Sequence, residues 1–294
     1  MNTAARLSLF TLGLLGVFGA ALLVGRYVVP NQTGSSGHAA HSSSTSTEAN
    51  SNRGHGNDSA DPAMGTTSTV GGYGLTDLRG PSAPGLAAPL SFTVTAGDGE
   101  PLSRFTPAHD KELHLIVVRS DGAHYAHLHP TRDGAGTWST TWRAPAAGSY
   151  RVVTDFVPGD RDGDEPVVLS STVEVAGQFD PSTPTPSRTA TVDGFTVTVD
   201  GDLGPHGTSM LTARVRHAGQ TVRLQPYLGA LGHLVVLRAG DLAYTHVHPR
   251  QDATAGTDVA FGATAPSTGR YFAYFDFQID GVVRTAAFVL DTHH

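Results

Sequence analysis

The feature that most constrains the fold is an internal duplication. Residues 114–130 read HLIVVRSDGAHYAHLHP and align without a gap on residues 233–249, HLVVLRAGDLAYTHVHP, with eight of 17 positions identical. Further along, GSYRVVTDF in the first copy matches GRYFAYFDF in the second. A chain that repeats itself over about a hundred residues is expected to fold as two similar domains, each large enough to bury a core.

Within each copy the sequence consists of short apolar runs separated by turn residues. Examples such as LSFTVT, YRVVTDF and FTVTV are interrupted by Gly, Pro and Asp, and the Pro-rich stretch GQFDPSTPTPSR separates the copies. Strands of this length are typical of an antiparallel sandwich of immunoglobulin size. The prediction is an all-β fold with two tandem immunoglobulin-like β-sandwich domains, at residues 73–176 and 189–292, joined by a linker at 177–188.

The N-terminal residues predict a membrane anchor. Residues 7–25 form an uncharged apolar run between Arg6 and Arg26. At 1.5 Å per residue this run spans about 29 Å, close to the roughly 30 Å hydrocarbon core of a bilayer. A cleavable signal peptide is the alternative, but the small residues that would form its cleavage site lie inside the run. We expect residues 1–30 to hold one transmembrane helix of a single-pass cell-membrane protein whose C-terminal domains are extracytoplasmic.

The segment after this helix, residues 31–72, is rich in His, Ser and Gly and predicts a disordered tether. The chain carries a formal net charge of -7 with scattered Lys and Arg, so no nucleic-acid partner is expected. It contains no cysteine, which excludes disulfides, thiolate metal sites and thiol nucleophiles. The expected partners so far are the membrane and an extracytoplasmic protein.

The matched positions include three histidines in each copy, the first standing thirteen residues before a His-x-His-Pro motif. The six residues are His114, His127, His129, His233, His246 and His248. In the first copy Asp121-Gly122 suits a two-residue type I′ hairpin turn. A hairpin centred there pairs His114 with His129. It also places His127 opposite Ile116, on the same face.

The second copy gives the same arrangement from different turn residues. Gly240-Asp241 suits a II′-type turn, and a hairpin centred there pairs His233 with His248. The same centre places His246 opposite Val235. Opposed residues have Cβ atoms about 4.5 to 5.5 Å apart, so three imidazoles can converge on one ion. The sequence therefore predicts one three-histidine metal site in each repeat.

The ligand type restricts the metal. Imidazole suits Cu(II) and Zn(II), whereas Cu(I) prefers sulfur, and no methionine lies near either motif. Asp155 and Asp276, at matched positions, are candidate fourth ligands or carboxylates that accept an imidazole N–H.

Two alternatives stay open. The histidines could be structural side chains of a non-metal immunoglobulin-like scaffold or adhesion module, or they could belong to a cupin-like metalloenzyme. Both repeats lack the glutamate that follows HxH in cupins and the second cupin motif, PxGxxH. The chain is therefore not expected to be an enzyme, and no catalytic residue is assigned.

These motifs resemble a family of exported bacterial proteins with tandem immunoglobulin-like domains, marked by a histidine, a hydrophobic run and then HxHP. The resemblance is carried by HLIVVR with HLHP and by HLVVLR with HVHP. Members are often labelled heavy-metal-binding and are similar to YtkA-like and copper-resistance-like sandwiches. The resemblance implies an exported metal-binding protein in copper tolerance. Together with the apolar N-terminal run and the histidines, it leads us to expect a membrane-anchored, extracytoplasmic protein that binds copper or zinc, with a role in metal homeostasis or tolerance.

Overall fold

The computed structural model describes residues 64–161, 163, 165–205, 207–245, 247–249 and 256–292. The predicted transmembrane helix and the tether up to residue 63 lie outside these residues. Among the described residues, no helix is long and apolar enough to cross a membrane. The regular elements of this part of the chain are all β-strands, which confirms the all-β prediction.

The first repeat is a sandwich of two antiparallel sheets. Its strands are β1 (Thr69–Val70), β2 (Tyr73–Arg79), β3 (Ala87–Thr95), β4 (Phe105–Thr106), β5 (His114–Arg119), β6 (Ala126–Leu128), β7 (Thr131–Arg132), β8 (Thr137–Arg143), β9 (Gly148–Pro158) and β10 (Val167–Val175). One sheet has the order β1-β2-β3-β8-β7, and the other has the order β10-β9-β5-β6 with β4 paired to β9. The hairpin that carries the first three histidines thus belongs to the second of these sheets.

The second repeat has the same two-sheet design. Its strands are β11 (Thr189–Val192), β12 (Phe195–Asp200), β13 (Ser209–His217), β14 (Gln220–Thr221), β15 (His233–Arg238), β16 (Tyr244–Thr245), β17 (Val247–Pro249), β18 (Asp258–Ala263), β19 (Arg270–Ile279) and β20 (Val282–Asp291). The sheet orders are β11-β12-β13-β18-β17, with β14 paired to β13, and β16-β15-β19-β20. The predicted duplication is therefore a duplication of structure.

Strands β5 and β15 are buried on both faces, which explains why HLIVVR and HLVVLR read as continuous apolar runs. Leu115 and Val117 point into the core of the first sandwich, whereas Ile116 and Val118 point the other way. The outward-pointing residues of both repeats form one shared cluster. Its buried members are Ile116, Val118, Val153, Val168, Val235, Leu237, Leu242, Phe272, Tyr274 and Val289. The two histidine-bearing sheets thus pack face to face.

The ordered sandwich begins earlier than composition predicts, because β1 lies within the last residues of the predicted tether. The segment is held by backbone hydrogen bonds: Ser170 N–H donates to the Thr67 carbonyl at 2.8 Å, and Tyr244 N–H donates to the Met64 carbonyl at 2.8 Å. Polar side chains do not prevent a segment from pairing through its backbone with a sheet edge. Composition alone therefore placed the boundary too late.

The two hairpins keep their predicted centres but not their predicted turn types. In the first hairpin Gly122 has a positive φ of 79° and Asp121 is not among the positive-φ residues, whereas a type I′ turn needs both. In the second hairpin Arg238 N–H donates to the Ala243 carbonyl, closing a four-residue loop rather than a two-residue turn. Instead of setting the turn type, Asp121 binds the buried Arg119 guanidinium, with oxygen–nitrogen distances of 2.7 and 2.9 Å.

Candidate metal centre

The first three histidines meet at the start of β5. Ile116 pairs with His127 across the β5–β6 hairpin, which confirms the predicted register, and His129 follows directly after β6. The side-chain period of two in a strand then places all three imidazoles on one face. In the described part of the chain these residues form a group whose ligand atoms all lie within 4.8 Å of one another. The three residues predicted for the first site are thus brought together in space.

The distances between ring nitrogens suit one small cation. His114 Nδ1 lies 3.1 Å from His127 Nε2 and 3.3 Å from His129 Nε2. In a tetrahedral site with metal–nitrogen distances of about 2.0 to 2.1 Å, neighbouring nitrogens are about 3.3 Å apart. The observed separations are close to this nitrogen–nitrogen distance, so small side-chain adjustments would accommodate an ion.

Outer hydrogen bonds fix which nitrogens point inward. His114 Nε2–H donates to the Ala108 carbonyl at 3.0 Å, and His127 Nδ1–H donates to Asp276 Oδ2 at 2.9 Å. The inner nitrogens of these two rings therefore face each other with lone pairs. Two facing lone pairs repel, and a metal ion bound between the rings would relieve this repulsion. Carbonyl and carboxylate partners of this kind are the usual outer contacts of metal-bound imidazoles.

Burial keeps two of these rings uncharged. Desolvation lowers the pKa of His114 to about 3, and the neighbouring His127 lowers it further. The pKa of His129 is also lowered to about 3, first by desolvation and then by His127 and His114. Both rings are therefore neutral near pH 7, which is the form that binds a metal.

The second set of histidines is described only in part. His233 Nε2–H donates to the Tyr227 carbonyl at 2.9 Å, as His114 does at the matched position, and burial lowers the pKa of His233 to about 4. The β15–β16 pairs keep the predicted register. However, the backbone of His248 pairs with Gly262 in the opposite sheet and not with His233. His246 and the side chain of His248 lie outside the described residues.

The two candidate aspartates lie beside the histidines, on strands that sequence could not place. Asp155 of β9 pairs with His114, and Asp276 of β19 pairs with His233. The side chain of Asp276 contacts His127 of the other repeat, so it holds an imidazole N–H rather than facing the inner nitrogens. Asp155 accepts a hydrogen bond from Tyr244 at 3.0 Å, and burial raises the pKa of its carboxyl to about 6.

A cleft of about 210 Å³ opens beside the centre, lined by residues of both repeats that include His114, His127, Asp155 and His233. His109 also lines it, with its ring 5.3 Å from that of His233 and 6.1 Å from that of His114. His109 has no counterpart in the second repeat, where Leu228 occupies the matched position. The tyrosines that bind the aspartates were also missed, although Tyr125 and Tyr244 are identical in the repeat alignment.

Comparison with solved structures gives only distant similarity. A Salmonella alpha-2-macroglobulin is 14% identical over 80% of this chain and 16% of its own, with a TM-score of 0.26. Invasin, a bacterial integrin-binding protein, is 13% identical over 74% of this chain and 39% of its own, with a TM-score of 0.21. Fibronectin(III)-like modules of Clostridium thermocellum CbhA are 11% identical over 76% of this chain and 97% of theirs, with a TM-score of 0.20. TM-scores this low do not establish a common fold.

The chain spans well under two thirds of the macroglobulin and of invasin. No curated protein matches it. One protein family does, and it matches twice, over residues 68–176 and 190–294. These two segments coincide with the two sandwiches and cover most of the sequence. The chain therefore belongs to the family described as domain of unknown function DUF8832, and it carries that domain in tandem.

Proposed function

We propose that the chain binds a divalent metal ion, Zn(II) or Cu(II), through His114, His127 and His129. The observation that carries this proposal is the convergence of three ring nitrogens within 4.8 Å, two of them aimed inward by outer hydrogen bonds. Neutral imidazole without sulfur favours these two ions. The repeat of the sequence motif supports a second site of the same type at His233, His246 and His248.

We further propose that this activity takes place in the cell envelope. The proposed anchor at residues 1–30 and the tether at 31–72 would hold two immunoglobulin-like sandwiches outside the cytoplasm. A metal-binding protein in that position would serve metal homeostasis or tolerance by buffering the ion or passing it to an extracytoplasmic partner protein.

A second candidate function is structural. His114 and His233 each donate Nε2–H to a backbone carbonyl, and His127 binds Asp276 across the repeats with both side chains at least nine-tenths buried. These contacts would also suit histidines that hold a scaffold or adhesion module together.

Metal titration of the purified full chain, followed by element analysis, separates the two functions. Wild type is expected to take up about two Zn(II) or Cu(II) per chain, and the double variant His127→Ala/His129→Ala is expected to lose one equivalent. The matched control is His124→Ala/His217→Ala, which also removes two histidines but from exposed positions. Equal uptake by the wild type and the site variant would reject the metal site. A lower melting temperature of the site variant without metal would then support the structural function.

A further inference from the structure

Each repeat supplies an aspartate carboxylate that accepts hydrogen bonds from the other repeat, an arrangement called the carboxylate exchange below. Asp276 pairs through its backbone with His233 of its own repeat, yet its Oδ2 accepts hydrogen bonds from two residues of the first repeat. These donors are His127 Nδ1 at 2.9 Å and the Tyr125 hydroxyl at 3.3 Å. The first histidine group therefore receives an outer contact that its own repeat does not supply.

The exchange is reciprocal. Tyr244 occupies in the second repeat the position that Tyr125 occupies in the first, and its hydroxyl donates to Asp155 Oδ2 at 3.0 Å. Each carboxylate thus lies on one repeat and accepts from the matched tyrosine of the other. A symmetric contact of this kind arises when two like domains pack through the same face.

Asp276 is held firmly enough to orient a ligand. Its residue is 2% exposed, and the hydroxyl of Thr285 on the neighbouring strand donates to its other oxygen, Oδ1. With both oxygens engaged, the carboxylate fixes His127 with Nδ1 protonated and Nε2 free. Loss of such an outer carboxylate typically weakens metal binding by about 10- to 100-fold.

We propose, resting on the metal function proposed above, that Asp276 is a positioning residue which the second repeat supplies to the first. The affinity of His114, His127 and His129 for a divalent ion then depends on the docking of the two repeats. By linkage, an ion bound at this site favours the docked arrangement over a separated one.

The test isolates the first site in the full chain with His246→Ala/His248→Ala and measures Zn(II) affinity at pH 7. Adding Asp276→Asn is expected to lower the affinity by about 10- to 100-fold while the stoichiometry stays near one. The matched control is Asp258→Asn in the same background, which removes a carboxylate that binds Arg214 instead of a histidine and should change the affinity by less than about threefold. If Asp155→Asn weakens zinc binding and Asp276→Asn does not, the assignment of Asp276 to the first histidine site is wrong.

A second test uses the wild-type chain, so its result does not depend on whether a variant folds. Nitrogen-15 NMR of the metal-free protein should show His127 protonated at Nδ1, and a ring protonated at Nε2 alone would overturn the proposal. If the His246→Ala/His248→Ala background binds no zinc, the proposed metal function fails. If it binds zinc with an affinity that Asp276→Asn leaves unchanged, only the positioning role fails.

Discussion

Acidification of the metal-free chain should lower its stability, because three buried or half-buried histidines are neutral when folded. The pKa values of His114 and His129 are lowered to about 3 and that of His233 to about 4, first of all by desolvation in each case. Below pH 6.5 the unfolded chain protonates these rings and the folded chain does not. The contribution of these neutral rings to the free energy of unfolding is therefore fully present above pH 6.5. It is lost as the pH falls toward the pKa values that the rings have in the folded chain.

The size of the loss follows from the pKa shifts. One pH unit is worth about 1.4 kcal/mol per ring, so each ring costs about 2 kcal/mol between pH 6.5 and pH 5. The more open His129 contributes less than the other two because solvent screens it. Asp155 acts in the opposite direction: its raised pKa of about 6 adds about 1.4 kcal/mol as pH falls from 6 to 5. The net loss expected from pH 7 to pH 5 is about 3 kcal/mol.

Urea unfolding at pH 7 and pH 5, with a chelator present at both, measures this difference. The double variant His114→Gln/His129→Gln should show a clearly smaller loss, because two of the three titrating rings are gone. His217→Gln, at an exposed position on β13, is the matched control and should keep the wild-type difference. Equal or greater stability of the wild type at pH 5 would refute the assignment of these rings as neutral and buried.

Three further substitutions test buried contacts by urea unfolding, two of them at the repeat interface and one beneath the linker. Phe272→Ala removes a large side chain from the cluster shared by the repeats and should cost about 3 to 5 kcal/mol, and a cost below 1 would show that the repeats do not rely on this packing. Tyr125→Phe removes one donor to Asp276 and should cost about 1 to 2 kcal/mol, whereas no change would make that hydrogen bond unimportant. Asp121→Ala leaves the buried Arg119 without its carboxylate and should cost about 3 to 5 kcal/mol, and an unchanged midpoint would exclude this ion pair as a structural element.

Hairpin geometry was predictable because local sequence determines it. A hairpin centred on Asp121-Gly122 places His127 opposite Ile116, and the structure has that pair. The turn types were wrong because the prediction considered only backbone preferences. The Asp121 carboxylate binds Arg119, which is 3% exposed and lies under the linker. This contact depends on the folded surroundings of Arg119 and not on local backbone preference. A local signal therefore set the register but not the turn.

The surroundings of the site were not predictable for a related reason. The repeat alignment shows that Asp155 matches Asp276, but it gives no order of strands within a sheet and no packing of one repeat on the other. Both were needed to place the carboxylate of Asp276 against His127, which is 149 residues distant in sequence. His109 was not predicted for a similar reason. It reaches the cleft from a turn with positive φ, and the matched position of the second repeat holds Leu228 instead of a histidine.

The apolar pattern of β5 did contain a usable signal for this packing. In a sandwich with one face in solvent, positions 116 and 118 would be polar and would alternate with the core residues Leu115 and Val117, yet Ile116 and Val118 are apolar and at most 1% exposed. Val235 and Leu237 in the matched strand are likewise apolar and buried. A strand that is apolar on both faces in each of two tandem sandwiches requires a second covering surface, and the repeat itself offers one. Reading that requirement together with the matched aspartates would have directed the Asp276 carboxylate toward His127 of the other repeat.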